Sequence, residues 1–305
     1  MKKTIIMSTF VVMGIAISGC GGGGEGGALF NSDAKPAPAN VDTGKEVVKD
    51  IVGNQAQSKI SPLSTEADTV NKPLLLVDSI RNALDSIPEK KVRSNNVNQA
   101  FECPYGGSGN IKGNGSDTRA NMTVTYNNCD MGGITFDGKM HVDATANYDT
   151  LESMKISFPS DFTMLNSVQS ITIYKNSSLN MDNYNDDEES FDFTQNIKSK
   201  INDELYGLEN SKWHVDSSGY AVKMYQLSGK EYIKNLESYV TYDETYDMSK
   251  TPFVFGSYGI SSGVARYITE NNGKIMISAE QGDVKVLIDA DSDGMYEKEE
   301  TLEAF

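Results

Sequence analysis

The sequence predicts a mainly β fold, an antiparallel meander curled into a barrel, half-barrel or sandwich, with one or two short N-terminal helices. Three observations carry this. From Ala100 onward, short runs rich in Val, Ile, Thr, Tyr and Phe recur, and these side chains suit a pleated, half-buried surface. Turn signals punctuate the runs: Asp137-Gly138, Ser217-Ser218-Gly219, Asn271-Asn272-Gly273 and Gln281-Gly282. Lys274-Ile275-Met276-Ile277-Ser278 alternates between polar and apolar, the period of a strand with one face wet.

Taken in order, the chain begins with a basic pair, Lys2 and Lys3, and an apolar stretch from Thr4 to Ile17 that is too short to span a bilayer. Ile17-Ser18-Gly19-Cys20 follows. This resembles the lipobox of bacterial lipoproteins: an aliphatic residue, two small residues and a Cys. The resemblance implies that residues 1–19 are a signal peptide and that Cys20 is the lipidated first residue of the mature chain. Acyl chains on Cys20 would then hold the protein to a membrane without a spanning helix. The run Gly21 to Gly27 cannot pack and reads as a flexible tether. In lipoproteins, Gly rather than Asp after the lipidated Cys implies the outer membrane, on its periplasmic or its surface face. A poly-Gly run there is similar to the tethers of some surface-displayed lipoproteins.

Residues 20–72 are expected to be lipidated Cys plus tether, and residues 73–305 a β-rich domain that opens with a helix. Within the tether, Val47, Val48, Ile51 and Val52 fall at helical spacing between Gly44 and Gln57. That pattern is open to two readings, a short amphipathic helix or plain tether. Pro73 to Pro88 is the better helix: Leu76, Ile80, Leu84 and Ile87 share one face, and Pro88 stops it. Strands are expected at Met122–Tyr126, Ile134–Phe136, Met140–Asn147, Ser153–Phe158, Ser170–Tyr174, Ser190–Phe193 and Trp213–Val215. Further strands follow at Ala221–Gln226, Tyr239–Tyr242, Pro252–Phe255, Val264–Thr269, Lys274–Ala279 and Val284–Ile288.

The strongest chemical signal is Asp289-Ala290-Asp291-Ser292-Asp293-Gly294-Met295-Tyr296-Glu297-Lys298-Glu299-Glu300. Its D-x-D-x-D-G spacing, closed by Glu at the twelfth position, resembles the EF-hand calcium loop. Ca²⁺ takes six to eight oxygen ligands, so a loop must offer one at every second residue as it wraps the ion. The resemblance implies ligands at Asp289, Asp291, Asp293, the Met295 carbonyl, Glu297 and a bidentate Glu300. Gly294 permits the sharp turn. The preceding Asp283 to Ile288 reads as a strand and not as the helix of an EF-hand. The loop is therefore similar to the solitary strand-loop calcium sites of extracellular bacterial modules, and a structural ion is expected. An acidic turn near Asp182, Asp186-Asp187-Glu188-Glu189, fits no ligand spacing and reads as a solvated hairpin tip.

Charge and cysteines fit the same compartment. The 305-residue chain carries a formal charge of −16. Loss of Lys2 and Lys3 would leave 25 basic against 43 acidic side chains. That balance argues against nucleic acid as a partner; protein, glycan or lipid ligands stay open. Of the 3 cysteines, Cys20 is claimed by the lipid, which leaves Cys103 and Cys129 to pair as a disulfide in an oxidising envelope.

A catalytic motif is harder to find. Gly259-Ile260-Ser261-Ser262-Gly263 matches G-x-S-x-G, but the nucleophile elbow needs a helix after the Ser and a His later in the chain. The following Val264 to Ile268 reads as a strand, and both histidines, His141 and His214, precede Ser261. The motif is therefore expected to be a turn. The function expected is a lipid-anchored envelope module, binding or structural rather than catalytic, stabilised by one Ca²⁺. A carrier of lipid or acyl chains in the envelope is the first alternative, and a hydrolase with an unrecognised site is the second.

Overall fold

A computed structural model describes residues 29–30, 33–48, 97–116, 118–147, 150–167, 170–185, 190–201, 204–216, 222–233, 235–256, 259–281 and 283–302. The signal peptide, Cys20, the helix expected from Pro73 and the run Asp186 to Glu189 lie outside the described residues. The expected β meander is what the chain forms: one large sheet, antiparallel apart from a two-residue strand near its start.

The first half of the meander is β2 (Val97–Glu102), β3 (Ser108–Gly115), β4 (Arg119–Asp130) and β5 (Ile134–Asn147). Then come β6 (Thr150–Ser157), β7 (Phe162–Asn166), β8 (Ser170–Ile173), β9 (Ser178–Asn185) and β10 (Ser190–Ile201). Two runs expected as separate strands, Ile134–Phe136 and Met140–Asn147, are one strand. Asp137-Gly138 does not turn the chain. Gly138 instead sits in the ladder opposite Tyr126 and Phe162 with φ +119°, and a Cβ there would collide with the Asp161 carbonyl. Glycine is required for that close approach. The length of β5 lets it divide its partners: Ile134–Gly138 pairs with β7 and His141–Asn147 with β6. Both arms rejoin on β10, through β8 and β9.

The second half repeats this device. It comprises β11 (Glu204–Asp216), β12 (Val222–Ile233), β13 (Ser238–Tyr242), β14 (Phe253–Gly256), β15 (Gly259–Ile268), β16 (Lys274–Glu280), β17 (Asp283–Asp289) and β18 (Lys298–Leu302). Strand β12 pairs at one end with β13 and at the other with β14, and both meet β15. Alternation then sets the inner face. Ile275, Ile277 and Ala279 point inward opposite Ile288, Val286 and Val284, all buried. In the first half, Tyr126, Phe136, Phe158 and Phe162 meet ring to ring at 5.6–5.9 Å. A disulfide, Cys103–Cys129, ties the turn after β2 to β4 beside the bulge at Tyr126/Cys129, as the cysteine count predicts.

Part of the expected tether belongs to the body. Phe30 stacks on Tyr232 with centroids 4.6 Å apart, and β1 (Lys35–Pro36) runs parallel to β13. Helix α1 (Val41–Val48) follows, starting three residues before the Gly44 at which the sequence pattern begins. Asn40 Oδ1 caps it by accepting from the Thr43 N–H at 2.9 Å. Its buried side, Thr43, Gly44, Val47 and Val48, lies on the inner face against β17, β16, β12 and β18. Burying Val47 and Val48 among Val286 and its neighbours stabilises by about 1.5–3 kcal/mol per side chain, more than a tether would gain in solvent. Gly44 is needed because a Cβ there would overlap Val286 Cγ1.

Candidate metal centre

Asp289 is the last residue of β17, and Lys298 opens β18 with Lys298 opposite Ile288. The residues between form the loop of a hairpin. Asp289 belongs to the outward-facing register of β17, yet it is completely buried, because the loop folds back over it. Gly294 takes φ +89° and Ser292 φ +66°, the reversals that make this possible. The Asp289 Oδ2 accepts from the Gly294 N–H at 3.2 Å. Asp291 Oδ1 accepts from the Asp293 N–H at 3.2 Å, and Asp293 Oδ1 from the Met295 N–H at 2.7 Å. Glu297 Oε2 accepts from the Ala290 N–H at 3.1 Å, while the Glu297 N–H donates to the Ile288 carbonyl at 2.9 Å. Each carboxylate is thus held by a backbone donor with oxygens left over.

The result is a nest of four carboxylates. One ligand oxygen from each of Asp289, Asp291, Asp293 and Glu297 lies within 4.8 Å of the other three. Oxygens bound to one Ca²⁺ at about 2.4 Å are at most about 4.8 Å apart, so the spacing is that of a single coordination sphere. Asp289 Oδ1 is buried without a hydrogen-bond partner. An orphaned carboxylate oxygen in so dry a position costs about 1–3 kcal/mol or more, and a cation among the four carboxylates would remove that cost. The residues fit a hard divalent cation.

Of the six expected ligands, one is placed differently. Met295, whose side chain is exposed, donates its N–H to Asp293. Glu300, expected to close the site, stands opposite Val286, three residues from Asp289. That is about 10 Å along the ladder, and Glu300 is on the inner register, where it ion-pairs with Lys45 of α1 at 2.6 Å. The physical reason is the element after the loop. In an EF-hand a helix carries the twelfth residue back over the ion, whereas here a strand carries it away. Glu297, at the ninth position, is the residue that folds back.

Surrounding contacts were invisible at the level of motif. The Ser292 hydroxyl donates to the Asn271 carbonyl at 3.4 Å, in the turn joining β15 to β16. Tyr296 is half-buried, and burial raises its hydroxyl above the usual range, opposed by its hydrogen bond with Arg266. Arg266 in turn pairs with the buried Asp243 at 2.7 Å and lies over the Tyr246 ring. No spacing rule links these positions, since they meet only through strand pairing.

The G-x-S-x-G segment is neither an elbow nor the expected turn but the start of a strand. Ser261 lies within β15, and its hydroxyl donates to the Val254 carbonyl at 3.0 Å. His141 meets Thr123 at 2.9 Å on β4, and His214 meets Asp192 at 2.8 Å on β10. Comparison with protein-family models, characterised proteins and solved structures returns no match. The geometry of this chain alone carries the functional argument.

Proposed function

We propose that this chain is a lipid-anchored envelope protein whose β body is a binding or structural module, clamped at its C-terminal hairpin by one Ca²⁺. The observation that carries the reading is the fully buried, unpartnered Oδ1 of Asp289, set among three further carboxylates within a single coordination sphere. Four carboxylates converging without a cation would repel; with Ca²⁺ they cross-link β17, the loop and the start of β18. The ion is structural because the ligands come from one short hairpin with no flanking helices to swing. The anchor rests on Ile17-Ser18-Gly19-Cys20, the glycine tether and the Cys103–Cys129 disulfide, which suits an oxidising compartment.

Calorimetric titration of the mature chain with CaCl₂ tests this. One site is expected in the wild type and none in Asp289→Ala/Asp293→Ala. A wild type that binds no Ca²⁺ would reduce the loop to an acidic turn.

A further inference from the structure

The calcium loop lies where the N-terminal segment docks. Two separate routes connect them. First, Glu300, the third residue of β18, pairs with Lys45 of α1, and Gly44 beside it lies on Val286, the residue that Glu300 opposes in the ladder. Second, the turn Glu270–Asn272 is held from both sides. Its Glu270 N–H donates to the Ala37 carbonyl at 2.8 Å, and its Asn271 carbonyl accepts from Ser292 of the loop. Gly273, which ends that turn, is so enclosed that a Cβ would stand 2.8 Å from Ala39 Cβ and 3.3 Å from the Ala290 carbonyl. Residues 37–45 and residues 290–300 therefore share one turn and one ion pair.

We infer that calcium binding and docking of the segment Ala37–Val48 are coupled, so that the ion sets how firmly α1 is seated on the inner face. The inference rests on the calcium reading above. Carboxylate repulsion in the ion-free loop acts on the start of β18, whose register places Glu300 on Lys45, and on Ser292, which braces the turn under Ala37. Relaxing either loosens the seat of α1. By linkage the effect is reciprocal: whatever undocks α1 weakens calcium binding by the same factor.

Hydrogen exchange read by mass spectrometry on the full chain in detergent, with CaCl₂ or with EGTA, tests the coupling without mutation. Removing calcium is expected to speed exchange in residues 41–48 as well as in residues 290–297. Calcium titrations of Lys45→Gln and Gly44→Val give the reciprocal arm, with affinity expected to fall about tenfold. Lys45→Gln is the sharper variant, and it serves alone if Gly44→Val does not fold. Loss of a positive charge near the site would by itself strengthen cation binding, so weaker binding reports coupling. Exchange at 290–297 that responds to calcium while 41–48 does not, or a Lys45→Gln variant that binds as well as wild type, overturns the coupling and leaves the calcium site standing. If neither segment responds and no heat is seen, the calcium reading itself falls.

Discussion

Replacing Asp289 by Asn separates a metal ligand from a structural hydrogen-bond acceptor. The amide oxygen can still accept from the Gly294 N–H, so the local turn is retained. What is lost is the negative charge. Unit charges 4.8 Å apart repel by about 1 kcal/mol at the dielectric of water. Asp289 takes part in three such pairs, and because its three partners are exposed to solvent and salt, their sum is about 1–3 kcal/mol. Without calcium, Asp289→Asn is therefore expected to be at least as stable as wild type. With calcium the balance moves the other way. A site with affinity near 10⁻⁴ M, saturated at about 5 mM free ion, stabilises the wild type by about 2 kcal/mol, and the variant should gain far less. Urea unfolding suits the measurement, since the chain has 1 Trp, Trp213, and it is buried in β11. The quantity to compare is the stability gained between EGTA and calcium, about 2 kcal/mol for wild type and near zero for Asp289→Asn. If the variant is destabilised equally in both media, Asp289 is only an acceptor for Gly294 and the metal argument fails.

Three further outcomes follow from the same structure. Glu231 is fully buried in β12, and burial pushes its carboxyl up to about 7 from an ordinary value near 4.5, against the opposing hydrogen bonds of Tyr267 and Gln226. Because the folded value is the higher one, its contribution is fully present below pH 4.5 and is lost as pH rises to about 7, some 3 kcal/mol in all. Glu231→Gln should flatten that part of the pH–stability profile, and parallel profiles for variant and wild type would contradict the assignment. Reduction of Cys103–Cys129, which closes a separation of 26 residues, should lower stability by about 3–4 kcal/mol, read as a shift of the urea midpoint; an unchanged midpoint would mean that the unfolded chain is not restrained by the bond. Cys20→Ser should abolish labelling by radioactive palmitate and release the chain from the membrane fraction, whereas labelling that persists would remove the lipobox reading.

How much of this was legible depended on the range of the interaction. Strands such as Lys274–Glu280 and Asp283–Asp289 declare themselves by alternation, because side chains one residue apart face opposite sides. Strands of the type Ser-Gly-Asn-Ile-Lys-Gly-Asn-Gly (Ser108–Gly115) and Ser178–Asn185 carry no such signal, because few of their side chains are apolar, and they are strands only because long neighbours pair with them. Gly138 reads as a turn residue from its neighbours and is a close-approach residue in the ladder, a difference that rests on Asp161.

The sequence by itself determined what depends on residues near one another in the chain: a β-rich body and the Asp289-Asp291-Asp293 spacing that brings three carboxylates round one point. The tertiary structure alone decided what depends on pairing across the chain. It divided β5, β10 and β12 between partners, seated α1 on Val286 and buried Glu231 beside Tyr267. It also chose the fourth carboxylate of the acidic cluster. Spacing names Glu300, but the β18 register puts Glu300 on the opposite face of the hairpin beside Lys45 and leaves Glu297 at the site. A ligand pattern fixes which oxygens are available, whereas the element that follows the loop fixes which of them return to the ion.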